Sequence, residues 1–147
     1  MFRKLLNTDD NWASLIARVV LGLVMLPHGL QKLLGLFGGA GFSGTMGFFT
    51  SQGMPAVVAF MVIMGESFGA LGLITGFIGR FCAFGIMLIM LGAMFMVHLK
   101  VGFFMNWTGQ QAGEGFEYHL LALGLSLIVL LKGSGAFSID RLLSQRS

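Results

Sequence analysis

The chain has 147 residues, of which 56% are hydrophobic and only 10% charged, against about 25% charged in ordinary globular domains. That composition argues against a water-soluble domain. A net charge of +3, from 9 basic and 6 acidic residues scattered along the chain, argues against nucleic acid as a partner.

The chain opens with an apolar run that lacks a small-residue cleavage site and is followed by Asp9 and Asp10. The first long helix therefore reads as a retained span rather than a signal peptide. Four segments approach the roughly 20 apolar residues that a bilayer requires, at about 12–34, 56–77, 81–99 and 116–131. The expected fold class is all-α: an integral membrane four-helix bundle, forming a single transmembrane domain over residues 1–147. Between the first two spans, the glycine-rich stretch 35–54 carries Phe42, Met46, Phe48 and Phe49, too apolar for a solvated loop and too few for a span. A short interfacial helix is expected there. The brief 76–80 connection predicts an antiparallel hairpin, and 100–115, with Trp107 and two glutamines, is expected to be the most water-exposed part.

Orientation follows from the basic residues that flank the spans. Arg3, Lys4, Arg80, Lys132, Arg141 and Arg146 fall on one side and Lys32 and Lys100 on the other. This bias predicts cytoplasmic termini and places Trp12 and Trp107 at opposite interfaces of a multi-pass inner (cytoplasmic) membrane protein. Cys82 is the lone cysteine, so neither an internal disulfide nor a two-cysteine exchange cycle can form within the chain. Quinone-linked thiol oxidases are thereby excluded as a model.

Two charges fall inside candidate spans, Arg18 and Glu66. An acidic residue at the centre of a spanning helix costs about 2.5–3.5 kcal/mol, so each needs a partner, and each is the other's expected partner. On helix 1, Arg18, Gly22, Met25, Gly29 and Lys32 form one stripe at i, i+4, i+7, i+11 and i+14, and Pro27 invites a kink. In helix 2, Gly65, Gly69, Gly72 and Gly76 read as a close-packing stripe. The topology brings His28, His98 and His119 to the outer ends of three helices, with Gln31, Lys32, Glu114, Glu117 and Tyr118 near them. The expected ligand set is Arg18, His28, Gln31, Lys32, Glu66, His98, Glu117, Tyr118 and His119 around one outward-opening pocket. A subset, His28, His98, His119 and Glu117, has the chemistry of a zinc, iron or haem site, although no local ligand motif is present. The alternative is that interfacial histidines and tyrosines simply suit the boundary between apolar and wet regions. Met87, Met90, Met94 and Met96 read as pliable core filler before they read as soft-metal ligands.

The run Arg18-Val-Val-Leu-Gly22, then His28-Gly29-Leu-Gln-Lys32, then Gly65-Glu66-Ser-Phe-Gly69-Ala-Leu with Gly76 and Arg80, resembles the DoxX family of small four-helix membrane proteins. The ending Gly133-Ser-Gly135-Ala-Phe-Ser138-Ile-Asp140-Arg141 is similar to that family's closing signature, and the likeness runs from about residue 13 to 142. The resemblance implies a link to quinone-coupled thiosulfate oxidation, quinone resistance or redox stress, and it carries the family's polar motif onto Arg18, Lys32 and Glu66. The resulting expectation is a redox-associated membrane subunit that binds a quinone or similar hydrophobic redox molecule, with redox proteins as partners, and, if it is an enzyme, a subunit of a quinone-linked oxidoreductase. The alternatives are a small transporter, a metal-binding protein or an assembly scaffold, as a lipid-facing monomer or a homo-oligomer.

Overall fold

The computed structural model describes residues 6–145, so Arg3, Lys4 and Arg146 of the basic bias lie outside the described residues. Within that range the chain is helical and contains no strand. Helix α1 spans Trp12–Leu34. Its start is set by Asn11, whose side-chain oxygen accepts from the Ser14 N–H at 2.9 Å, and its end by Gly35 in the left-handed region at φ 73°. The helix continues through Pro27. A short helix α2, Gly41–Ser51, follows in the glycine-rich connection.

Helix α3 runs over Ala56–Thr75 and contains a π-turn at Gly65–Gly69. It ends at Gly76, and after a tight turn α4 covers Gly79–Met96, with one 3-10 turn at His98–Lys100. Helix α5 is Glu117–Lys132, and α6 is the short Ile139–Gln145. The segments Trp12–Leu34, Ala56–Thr75 and Gly79–Lys100 are long and apolar enough to cross a bilayer. Helix α5, at 16 residues, reaches about 24 Å, short of a hydrocarbon core of about 30 Å.

Helix α1 packs antiparallel on α3 and also against α5, and α4 packs along α5. The small-residue stripe of α1 is the face turned to α3. A Cβ on Gly22 would sit 2.9 Å from the Ala70 carbonyl oxygen, and one on Gly29 would sit 2.6 Å from the backbone of Glu66. Only glycine lets the two backbones approach this closely. The interior is lined largely by small or pliable residues, among them Ala17, Ala70, Ala83, Ala122, Met25 and Met90. Many large apolar side chains point outward, with Phe68 58%, Phe81 62% and Leu121 71% exposed. Such a surface is stable against acyl chains and would aggregate in water.

Candidate functional site

Polar side chains collect at the two ends of the bundle. At the end where α3 turns into α4, Arg18 is 1% exposed. Its Nε donates to the Ser134 carbonyl at 2.7 Å, one terminal nitrogen to Leu73 and Ile74 at 2.9 and 2.5 Å, and the other to Ala136 and Phe137 at 3.0 and 2.9 Å. A guanidinium has five N–H groups, and here every one is occupied by a main-chain carbonyl. Asp140 completes this end. Its carboxylate accepts from the Ile78 and Gly79 N–H groups at 2.7 and 2.9 Å and from the Ser134 hydroxyl at 2.5 Å. Those amides open α4, so the acid caps its positive end. It also holds Ile78 in a left-handed conformation at φ 44°, uncommon for a β-branched residue.

The expected pairing of Arg18 with Glu66 is therefore corrected. Glu66 lies about two helical turns from Leu73 and Ile74 on the same helix, roughly 10–12 Å along the axis, and so in a different layer of the bundle. Its partner is Lys32, whose Nζ is 2.5 Å from Glu66 Oε2. Arg18 itself donates to main-chain carbonyls, at the other end of the bundle from Glu66.

The second end is built around that ion pair. Glu66 and Ser67 are consecutive yet both buried, because the π-turn widens the helix and turns both toward α1. Gly29 gives way beneath them. Glu66 is 5% exposed, whereas the Lys32 side chain is 23% exposed, so the pair sits just inside the rim. Tyr118 lies in the electrostatic field of Glu66 and contacts the His28 ring at 6.2 Å and the His119 ring at 5.5 Å between centroids. His119 and His98 are 4.2 Å apart, their planes tilted by 42°. His98 Nδ1 is 2.7 Å from the Glu114 carbonyl oxygen.

The expected three-histidine pocket thus resolves into a close pair, His98 and His119, and an exposed His28 that reaches them through Tyr118. The helix runs on through Pro27 and leaves His28 on the rim. Among the described residues, no group of three or more His, Cys, Asp or Glu comes together that could hold a metal. The expected metal set of His28, His98, His119 and Glu117 is not gathered into one such group. Glu117 serves the 100–115 connection instead, accepting from the Met105 N–H at 2.9 Å and the Trp107 indole at 3.2 Å, while the Glu114 carboxylate accepts from the Asn106 N–H at 2.6 Å. Gln31 donates to the Phe37 carbonyl at 3.2 Å and holds the turn after α1.

Four buried side-chain atoms have no partner among the described residues: Ser14 Oγ, Tyr118 OH, His119 Nδ1 and Ser126 Oγ. A serine hydroxyl inside a helix can rotate onto a carbonyl one turn back. A phenol and an imidazole have no such recourse, and an unmet buried polar atom typically costs about 1–3 kcal/mol. Tyr118 and His119 are therefore the residues with hydrogen bonds to offer, and Tyr118 lies in the field of the Glu66 carboxylate. Two open grooves, about 370 and 340 Å³, lie elsewhere, one beside Phe137 and Arg141 and one beside Phe68 and Cys82.

The family model for DoxX matches residues 13–99, more than half of the chain, and the chain belongs to that family. It is 29% identical over 135 residues to the Bacillus subtilis (strain 168) protein named "Putative oxidoreductase CatD", covering 92% of this chain and 90% of that one. It is 27% identical over 132 residues to inner membrane protein YqjF of Escherichia coli (strain K12), covering 90% and 92% of the two chains. Inner membrane protein YphA of the same organism is 28% identical over 132 residues, covering 86% and 87%. No solved structure matches the chain.

Proposed function

We propose that this DoxX-family membrane protein is a redox-associated subunit that binds a quinone, or a similar hydrophobic ring bearing two oxygens, at the Glu66 end of the bundle. The observation that carries the reading is the pair of unmet buried polar atoms, Tyr118 OH and His119 Nδ1, on neighbouring rings, with Tyr118 in the field of the Glu66 carboxylate. A quinone needs an apolar slot with a hydrogen-bond donor at its carbonyl oxygens. A phenol and an imidazole, with Lys32 and His28 at the same end of the bundle, supply the donors. When bound, the ring would accept or release two electrons and two protons. This chain's part is to orient the oxygens and keep bulk water away. The relative named as an oxidoreductase supports the redox class, and electron-transfer proteins would dock as partners.

The same reading carries a topology: one domain with four membrane crossings, α5 included, in the inner membrane, and both termini in the cytoplasm. Arg80, Lys132 and Arg141 support that orientation by the positive-inside rule. The site then faces the opposite side.

Ultraviolet and visible absorbance of protein purified in mild detergent tests the ligand. A quinone spectrum in the wild type that is reduced in Tyr118→Phe supports the reading. A ligand-free protein that also fails to bind added menadione in nanodiscs overturns it. Cysteine labelling on a Cys82→Ser background tests the orientation: Gln110→Cys is expected to react with an impermeant reagent from outside, while Thr8→Cys and Gln145→Cys are protected. External labelling at position 145 would reverse the topology.

A further inference from the structure

The paired imidazoles have a geometry that ligand binding alone does not require. His119 is 95% buried, its exposure being 5%, and its Nδ1 is unmet. His98 comes from a different element, the 3-10 turn after α4, and is half-buried at the edge of the exposed 100–115 connection. A carbonyl can only accept a hydrogen bond, so the contact between His98 Nδ1 and the Glu114 carbonyl fixes the neutral ring with its proton on Nδ1. That leaves His98 Nε2 as a free base, on a ring 4.2 Å from that of His119. The two rings are packed against each other, tilted by 42°, so transfer between them runs through a rearranged ring pair or a bridging water.

We propose that His119 and His98 form a two-step proton path between the buried Glu66–Tyr118 region and water at the connection after α4. A proton leaving the site is taken by His119 and handed to His98 Nε2. The Nδ1 proton of His98 then departs to water that replaces the Glu114 carbonyl, leaving the ring with its proton on Nε2, and a half-turn of the ring restores the N–H contact to the Glu114 carbonyl before the next proton. Uptake runs the same steps in reverse, so charge and protons balance without an oxidant or a reductant. The titratable and charged groups around the pair are Tyr118 on α5, Lys32 and His28 on α1 and Glu66 on α3. The exposed Glu114 lies at the water side, and Glu117 is turned away to Met105 and Trp107. The path does not depend on which ligand the site takes. It deepens the proposed function by supplying the protons that a quinone couple exchanges.

The test reads the histidines directly, in protein without ligand. Ring N–H exchange with water at His119 is measured by nitrogen-15 NMR on histidine-labelled protein in nanodiscs. His98→Gln keeps a donor for the Glu114 carbonyl but cannot relay a proton, and it is expected to slow exchange at His119 by about ten-fold or more. His98→Ala is expected to show the same slowing, relieved by added imidazole. Unchanged exchange at His119 in both variants overturns the path, whether or not a quinone binds. Slowed exchange in a protein that binds no menadione would leave the path standing and remove the quinone reading.

Discussion

The two ends of the bundle both bury charge, but they treat it differently. At the Arg18 end every strong hydrogen-bonding group of the charged residues is met from within the chain: five carbonyls satisfy one guanidinium, and two amides and a hydroxyl satisfy one carboxylate. At the Glu66 end the ion pair is made, and then a phenol and an imidazole are left over. A saturated polar cluster in hydrocarbon fixes one arrangement of helices, and further polar contacts have nowhere to attach. An unsaturated one has contacts in reserve for something that arrives. The same residue types can therefore serve as a latch or as a site, and completeness of hydrogen bonding separates the two.

If the Arg18 end is a latch, breaking it should have the largest effect on folding and none specific to ligand. Arg18→Met abandons five carbonyls inside the membrane and leaves Asp140 without its nearby cation. Removing one partner from a buried charged network costs about 3–5 kcal/mol, so this variant should fail to accumulate or unfold at far lower temperature in detergent. Asp140→Ala should fail similarly, since it uncaps α4. Wild-type thermal stability in either variant would show that the latch is dispensable.

Glu66→Gln comes next, expected to lose about 1–3 kcal/mol, because Lys32 stays partly exposed and can turn to solvent. A double-mutant cycle sharpens the contrast between the ends. Lys32→Met should recover part of the Glu66→Gln loss, whereas Arg18→Gln should add to it, the two sites being separate layers. Recovery with Arg18→Gln and strict additivity with Lys32→Met would reverse the pairing.

A loss of comparable size, about 1–3 kcal/mol, is expected for Gly29→Ala. Its Cβ would press the Glu66 backbone at 2.6 Å, and neither helix has a flexible side chain there to give way. Gly47→Ala on α2, with open space around it, is the control and should be silent. Thermal unfolding of both in detergent decides it; equal behaviour would mean that the α1–α3 crossing is not under tension at the π-turn.

How much of this was legible before the structure follows the same division. The stripe Arg18, Gly22, Met25, Gly29, Lys32 could be read because a regular helix preserves its period, and it is the face packed on α3. The identity of Glu66's partner could not be read. Lys32 could be read as the end of the α1 stripe, and only the antiparallel offset of α1 and α3 brings it opposite Glu66. The partners of Arg18 could not be read either, because they are main-chain carbonyls, which carry no side-chain signature. The signal that existed was Asp140 amid the apolar ending, an acid that needed donors near it. The His98–His119 pair was foreshadowed by topology, but the exclusion of His28 depends on which way one side chain leaves a helix end, and spacing alone does not fix that.

The smallest stability effect should come with the clearest functional one, at Tyr118. Its hydroxyl makes no hydrogen bond among the described residues, so Tyr118→Phe removes an unmet buried group and leaves the ring contacts with His28 and His119 in place. Stability should stay within about 1 kcal/mol of wild type, or rise, because nothing in the protein loses a partner. If the hydroxyl is reserved for a ligand oxygen, binding of menadione should weaken by roughly two- to ten-fold, the worth of one net hydrogen bond of about 0.5–1.5 kcal/mol. Titration in nanodiscs alongside thermal unfolding measures both quantities on one sample. A marked fall in stability with unchanged binding would make Tyr118 a packing residue and would erase the difference between the two ends. Weakened binding at full stability is the pattern expected of a site, and Arg18→Met, which should lose the fold before any question of binding arises, is its opposite.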